Sequence, residues 1–328
     1  MVSEPGATPA SATKDEILIG ISSCLLGEKV RFDGGHKHDR FLTDTVGPFV
    51  RFTPVCPEVD IGMGTPREAI HLVASEGGVR LVAPKSGEDY TARMTRYARQ
   101  KSADLAALNL DGYILKKDSP SCGMERVRVY GTSGMASRTG TGLFAAELIA
   151  AFPLLPVEEE GRLNDPQLRE NFFERVFAHR RLKAFFDGRW NVGGLVRFHA
   201  AEKLLLLAHD RPALAALGRL VAGAKGRPSA GLAEEYQNAF MQGLRKLATV
   251  RKHTNVLQHA AGYFKNQLGA GEKQELSGAI EDYHRGLIPL IAPLILIRHY
   301  VRLHEVAYLA GQTYLEPHPK ELMLRNHV

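Results

Sequence analysis

The sequence predicts an α/β unit, an open and largely parallel sheet with flanking helices, followed by an all-α unit. Three observations carry this. Short apolar runs alternate with helical patterns up to about residue 155. Strand signals almost vanish beyond it. A Pro-rich joint, "FPLLPVEEEGRLNDP" (152–166), separates the two parts. A chain of 328 residues also fits two units at about 150 residues each. The expected limits are a leader over 1–15, an α/β unit over 16–157 and a helical unit over 160–328, with the boundary near 155–163.

The elements follow in order. "MVSEPGATPASATKDE" is polar and lacks the basic start and apolar middle of a signal peptide, so a disordered leader is expected. "ILIGIS" (17–22) is a short apolar strand running into a Ser/Cys loop, and "FVRFTPV" (49–55) is another, ending at Cys56. "HLVASEGGVRLVAP" (71–84) reads as a hairpin over Glu-Gly-Gly. "YTARMTRYARQKSADLAALNLDG" has helical apolar spacing and is closed by Asn109 and Gly112. "YILK" (113–116) is a third strand, leading to Cys122; "RVRVYG" (126–131) is a further strand and "TGLFAAELIAAF" (141–152) a helix.

Beyond the joint, Asp165-Pro166 forms an N-cap and first-turn pair for a helix through "QLRENFFERVFAHRRLKAFFDG". "NVGGLVRFHAAEKLLLLAHD" is a second helix, stopped before Arg211-Pro212. A long pattern through "GLAEEYQNAFMQGLRKLATVRKHTNVLQHAAGYFKNQL" breaks near His253. "GEKQELSGAIEDYHRGL" and "LILIRHYVRLHEVAYLAGQ" complete the set, without a fixed-period repeat. The longest apolar stretch, "LIPLIAPLILI" (287–297), is interrupted by two prolines and is shorter than the roughly 18–20 residues of a membrane span. A cytoplasmic protein with no membrane partner is expected.

Charge is uneven. Residues 161–328 carry a net +9 and 10 of the 13 histidines, whereas residues 1–160 carry −3. A basic helical half favours anionic partners such as nucleic acid, against the plainer reading of a solvated helical surface.

The chemistry points to the cysteines. Three in 328 residues make no disulfide framework, and their spacings, 32 and 66 residues, contain no CxxC. Their position is the signal. Cys24, Cys56 and Cys122 each follow an apolar strand and enter a loop of Gly, Pro or Ser: "ISSCLLG", "TPVCPEVDIGMG", "SPSCGM". In an open α/β sheet, ligands bind at the carboxyl ends of the strands. Three thiolates gathered there suit zinc or an iron–sulfur cluster with one coordination position open. Around them stand Asp33, His36, His38 and Asp39, then Glu58, Asp60 and Arg67, then Lys116, Lys117, Asp118, Ser119 and Ser121. Glu58 and Ser119 are the candidates for acid–base and hydroxyl assistance, and Asp33, Ser121 and Arg67 for holding substrate. Lys116 and Lys117 have no assigned role. For Asp33 the competing reading is an Asp-Gly turn.

At these residues the chain resembles a known family. "SSCLLGEKVRFDGG", "PVCPEVDIGMGTPRE" and "LKKDSPSCG" resemble the three signature segments of the thiouracil desulfidases, over about residues 16–155. Residues 160–328, with "RFHAAEKLLLLAHD", "HTNVLQHAAGYFK" and "QTYLEPHPKELMLRN", resemble the helical part of bacterial YbgA-like proteins. The resemblance implies a 4Fe-4S cluster held by Cys24, Cys56 and Cys122. It implies a fourth iron that takes the sulfur of a thiolated pyrimidine, and exchange of that sulfur for water with no net redox change. Glu58 and Ser119 take the assisting roles by motif position. The alternatives are a nucleic-acid-binding protein with a structural or sensing metal, and a zinc hydrolase on the same three thiolates. A combined reading has the helical half present a thiolated tRNA, on the strength of Arg251, Lys252, His253, His259, Tyr263 and Phe264; a helix-mediated homodimer is the structural alternative.

Overall fold

A computed structural model describes residues 16–131, 134–227 and 229–328, so the expected leader lies outside the described residues. The first half contains β1 (Ile17–Ser22), β2 (Val50–Val55), α1 (Pro57–Asp60), β3 (His71–Ser75), β4 (Gly78–Val82), α2 (Thr91–Ala107), β5 (Gly112–Leu115), β6 (Val127–Tyr130), β7 (Ala136–Gly140), α3 (Leu143–Ala151) and β8 (Val157–Glu159). The second half is helical: α4 (Pro166–Phe186), α5 (Val192–His209), α6 (Arg211–Ala222), α7 (Ser229–Leu244), α8 (Val250–Ala261), α9 (Ala270–His284), α10 (Ile291–Leu303) and α11 (Ala307–Ala310). No helix among the described residues is long and apolar enough to cross a membrane.

The strands form two sheets, of which the first is the open parallel sheet expected and the second an addition to it. The first has the order β2-β1-β5-β8 and is parallel throughout; the second has the order β4-β3-β6-β7, with antiparallel pairs on either side of a parallel β3–β6 pair. Composition explains the difference. All six residues of β1, "ILIGIS", are buried, as a central parallel strand covered on both faces requires. Most of β7, "ASRTG", is exposed, which an edge strand tolerates.

Alternation along β1 sorts its side chains into two cores. Leu18 joins Tyr113, Leu115 and the α2 and α3 residues Met94, Ala98, Phe144 and Leu148. Ile17, Ile19 and Ile21 face the other way, onto Phe172, Phe173 and Val176 of α4 and onto Leu322 and Leu324 near the C-terminus. The helical half therefore supplies one wall of the first sheet's core. Each of the fully buried Phe172 and Phe173 rings contributes roughly 1.5–3 kcal/mol by leaving water. At the opposite end of β5, Lys183 of α4 pairs with Asp111 at 2.8 Å, and Asp111 in turn accepts the Leu18 N–H at 2.9 Å. A third core lies in the helical half, from α4 to Tyr314 and Leu315 just beyond α11.

The helix signals hold at α4, where Asp165 accepts the N–H groups of Gln167 and Leu168 and Pro166 fills the first turn. Two boundaries differ. Arg211-Pro212 does not only stop a helix; it opens α6, where proline belongs. The break in the long pattern falls at 245–249, and Thr249 caps α8 by accepting the Lys252 N–H.

Burial makes this half acid-sensitive. It holds His179 and His253 down at about 3 and His318 at about 4. All three stay neutral in the folded chain while the unfolded chain takes up protons below pH about 6.5. Stability is therefore full above that pH and falls by roughly 1.4 kcal/mol per pH unit for each histidine below it. The urea midpoint is expected to drop steadily from pH 6.5 to 5; a flat profile would show these histidines charging freely in the fold.

Candidate functional site

β2, β1 and β5 are parallel neighbours, so their carboxyl ends share one edge, with Ser22 opposite Val55 and Ile21 opposite Ile114. Cys24 lies two residues past β1, in a tight turn over Ser23–Leu26. Cys56 directly follows β2 and caps the short α1. Cys122 lies seven residues past β5, in a loop whose first bend is Asp118 at φ 58°. The three thiols are free and line one cavity of about 540 Å³, within the range of small-molecule sites.

The Cys122 loop is docked on the start of α3. The first N–H groups of that helix lack intrahelical partners, and the loop supplies them. Leu143 N donates to Pro120 O at 3.2 Å, and Phe144 N and Ala145 N donate to Ser121 O at 3.0 and 3.1 Å. Gly142 permits this approach, since a Cβ there would stand 2.4 Å from Ser121 O and 2.8 Å from Cys122 N. Gly142→Ala is expected to cost about 1–3 kcal/mol and to displace Cys122, leaving Cys24 and Cys56 in place. Urea unfolding and alkylation of the individual cysteines, read by mass spectrometry, would check both effects.

Glu58 is the polar hub. Its Oε2 accepts both Arg67 Nη2 at 2.5 Å and Nε at 3.0 Å, a charge-assisted pair with Arg67 side-chain exposure of only 5%. Its Oε1 accepts Ser121 Oγ at 2.5 Å and faces Ser119 Oγ at 3.5 Å. Ser119 Oγ in turn accepts the Cys122 N–H at 3.1 Å, so hydroxyl, carboxylate and cysteine are linked. Arg67 is further fixed by the carbonyls of Val30 and Gly64 at 2.9 and 2.8 Å. Glu58, Ser119 and Arg67 line the cavity; Ser121 is fully buried behind it.

The thiols are held protonated in the metal-free chain. Burial pushes Cys24 up to about 11, against the pull of Lys116 and Arg31. Burial also raises Cys56, and raises Cys122 further with the Glu58 carboxylate adding to it.

Other sequence candidates lie elsewhere. Asp33 is exposed and is not in the cavity wall; it accepts the Gly35 N–H at 3.0 Å and sits 3.6 Å from Arg31, as a turn former does. Asp60 is taken by the Tyr97 hydroxyl and Lys101, and His38 by Thr43, whereas Asp118 does line the cavity and pairs with Arg138. The six basic and aromatic positions of the helical half separate: His253 and Phe264 are core, and Lys252 donates to the His209 and Leu247 carbonyls, while Arg251, His259 and Tyr263 reach the surface. Lys116 gains a place, in the cavity wall and paired with Glu160 from the joint. The second sheet adds the stacked rings of His71 and Tyr130, 4.5 Å apart. Neither the Lys116–Glu160 pair nor this stack has a local sequence signal, because each depends on long-range pairing.

Two family models match the chain: one described as 2-thiouracil desulfurase over residues 19–160, and a protein of unknown function, DUF1722, over 203–319. The uncharacterized protein YbgA of Escherichia coli (strain K12) is 36% identical over 156 residues, which are 46% of this chain and 90% of that protein. The uncharacterized protein YbbK of Bacillus subtilis (strain 168) is 33% identical over 153 residues, 45% of this chain and 99% of that one. The chain belongs to the 2-thiouracil desulfurase family. A solved structure titled "[4Fe-4S]-dependent thiouracil desulfidase TudS" is 32% identical and covers 46% of this chain and 94% of its own, with a TM-score of 0.37.

A cluster in this desulfurase-family chain can be tested against its donors. Among the described residues, no three His, Cys, Asp or Glu side chains are placed to share a single metal ion. Cys24, Cys56 and Cys122 instead stand around the wall of one cavity. Three soft donors on the wall of one cavity are of the chemical kind that holds an iron–sulfur cluster. The donor set fits.

Proposed function

We propose that this protein is a desulfidase that replaces the sulfur of a thiolated pyrimidine with the oxygen of water, releasing hydrogen sulfide without net redox change. The observation that carries the reading is three cysteines, from three adjacent parallel strands, opening onto one cavity beside a Glu58–Ser119–Arg67 group. Cys24, Cys56 and Cys122 would hold a 4Fe-4S cluster. When bound, such a cluster supplies a soft Lewis-acid iron for thiocarbonyl sulfur.

The chain's own residues do the rest. Glu58 receives a proton from the incoming water, and the Arg67 pair keeps the carboxylate oriented for it. Ser119 Oγ holds the substrate's ring carbonyl or passes the proton along the Ser119–Ser121 contact of 2.9 Å. Lys116 and Arg31 offset the negative charge gathered around Cys24. The apolar wall of Val30, Ile70, Leu72 and Val127, with the His71–Tyr130 stack, suits a flat ring.

Anaerobic purification is the test. About four irons per chain with broad absorption near 400 nm, and turnover of thiouracil to uracil and sulfide, are expected. A colourless protein with one zinc, or an iron-loaded protein inert towards thiouracil and thiolated nucleosides, would overturn the reading. For thiolated RNA as the larger substrate, the surface trio Arg251, His259 and Tyr263 is the support. Arg251→Glu should slow desulfidation of thiolated tRNA while leaving free thiouracil untouched. Point variants are the right tool, because deleting 160–328 would strip Phe172, Phe173 and Val176 from the first sheet.

A further inference from the structure

The parallel sheet has a fourth strand beside the three that lead to Cys24, Cys56 and Cys122. This strand, β8, pairs with β5 with Glu159 opposite Leu115, so its carboxyl end reaches the same edge. Glu160 is the first residue past it, placed as Cys56 is past β2, and its N–H donates to the Leu115 carbonyl at 3.1 Å. A run of glutamates in a joint ordinarily faces solvent. Here Glu158 and Glu159 are buried and the Glu160 side chain is only 12% exposed.

The two oxygens of Glu160 take different donors from the start of the Cys122 loop. Oε1 accepts the Lys116 ammonium, and Oε2 accepts the Lys117 N–H at 2.7 Å. The ammonium also donates to the Lys117 carbonyl at 3.1 Å. From the other side, Ser22 Oγ at the end of β1 accepts the Lys116 N–H at 3.0 Å. The far end of the loop is held from β8 as well: Glu159 Oε1 accepts the Met124 N–H at 2.6 Å, two residues past Cys122. Between these fixed ends lies Ser119, whose hydroxyl faces Glu58 and accepts the Cys122 N–H. Lys116, Lys117 and Ser119 line the cavity, and Glu160 stands behind them.

We infer that Glu160 is a positioning residue of this site: through the Lys116 ammonium and the Lys117 N–H it sets the entrance of the loop that carries Ser119 and Cys122, while Glu159 fixes the exit. This role rests on the desulfidase reading above. Ser119 is two residues past Lys117, so a shift of the Lys117 N–H carries over to the hydroxyl and its spacing from Glu58. A misplacement of about 1 Å at a reacting group costs up to about 10²-fold in rate. The task also explains why a carboxylate stands here. It offers an acceptor to each of two donors at once, whereas an amide offers one and turns its NH₂ on the other. The joint between the two halves is thus part of the support of the cavity wall.

Glu160→Gln tests this, since it keeps the size of the side chain and leaves one oxygen for two donors. In the metal-free chain, hydrogen exchange over 116–119 should quicken about tenfold, while 50–56 exchanges as in the parent. After anaerobic loading, iron should stay at about four per chain. The kcat for thiouracil should fall about tenfold to a hundredfold, with KM within about twofold of the parent. Lys116→Met frees the remaining oxygen for the Lys117 N–H, so the double variant should be no slower than Lys116→Met alone. Unchanged exchange over 116–119 would overturn the inference whatever the parent's activity. So would a loaded Glu160→Gln enzyme with the parent's kcat and a lowered urea midpoint, because the pair would then only stabilise the joint. Losses from Glu160→Gln and Lys116→Met that multiply in the double variant would overturn it too. A parent that takes up no cluster and leaves thiouracil intact would defeat the desulfidase reading, and the metal-free exchange measurement tells that failure apart from this one.

Discussion

Cys122→Ala is expected to bring thiouracil turnover to background and iron content from about four per chain to less than one. The size of the effect follows from geometry. The three strand ends supply one sulfur each, and the described residues offer no further cysteine to take over. The fold should survive. Cys122 is 6% exposed and its loop is held by the carbonyls of Pro120 and Ser121 on α3, none of which involves the sulfur. Removing that sulfur costs only the packing of one small buried group, about 1–2 kcal/mol. Circular dichroism and urea unfolding should therefore resemble the parent while absorption near 400 nm disappears. Glu58→Gln should separate the two functions differently: iron is kept, because Glu58 is not a cysteine ligand, and turnover falls by roughly 10²–10⁴-fold. A Cys122→Ala protein that retained both iron and turnover would remove the three-cysteine centre from consideration.

The cysteine centre was legible because its signal is local. A strand's apolar run and the loop that follows it are adjacent in sequence, so "ISSC", "TPVC" and "SPSC" announce three strand ends before any pairing is known. Glu58 was legible for the same reason, two residues from Cys56. Asp33 shows the limit of proximity: it is as near to Cys24 in sequence as many true neighbours, but the Asp-Gly turn directs it to solvent. The two-sheet arrangement was not legible, because β3 pairs with β6 across more than fifty residues and β7 and β8 are too short and too polar to stand out. Tyr113 was also hidden: in sequence it is one aromatic in "GYIL", and that its ring lies over Gly20 depends on the pairing of β1 with β5.

Arg325→Met should destabilise the protein by about 3–5 kcal/mol, as the loss of one partner from a buried charge network does. Arg325 is 4% exposed and serves two buried carboxylates, Glu170 at 3.2 Å and Glu174 at 2.5 Å, while Nη1 donates to the Tyr314 carbonyl at 2.6 Å. His209 lies 3.0 Å from Glu174 and His327 2.8 Å from Glu170. Burial opposes ionisation of Glu174, yet Arg325 and His209 more than offset it and hold its carboxyl well below the usual range. In the parent, Glu174 therefore contributes stability that is present above its unfolded value of about 4.5 and lost as pH falls below it. In Arg325→Met the sign reverses: a buried carboxylate deprived of its cation binds a proton more readily folded than unfolded, so acid relieves part of the penalty. The gap between parent and variant should be widest near pH 7.5 and narrower at pH 5, read from urea midpoints. A gap independent of pH would mean that the loss comes from packing and not from the stranded charge. The same substitution reaches the first sheet, because Arg325 anchors the segment whose Leu322 and Leu324 pack with Ile17, Ile19 and Ile21. Loosening that anchor should raise hydrogen exchange in β1 before it does so in β3, whose core shares no residue with the C-terminal segment.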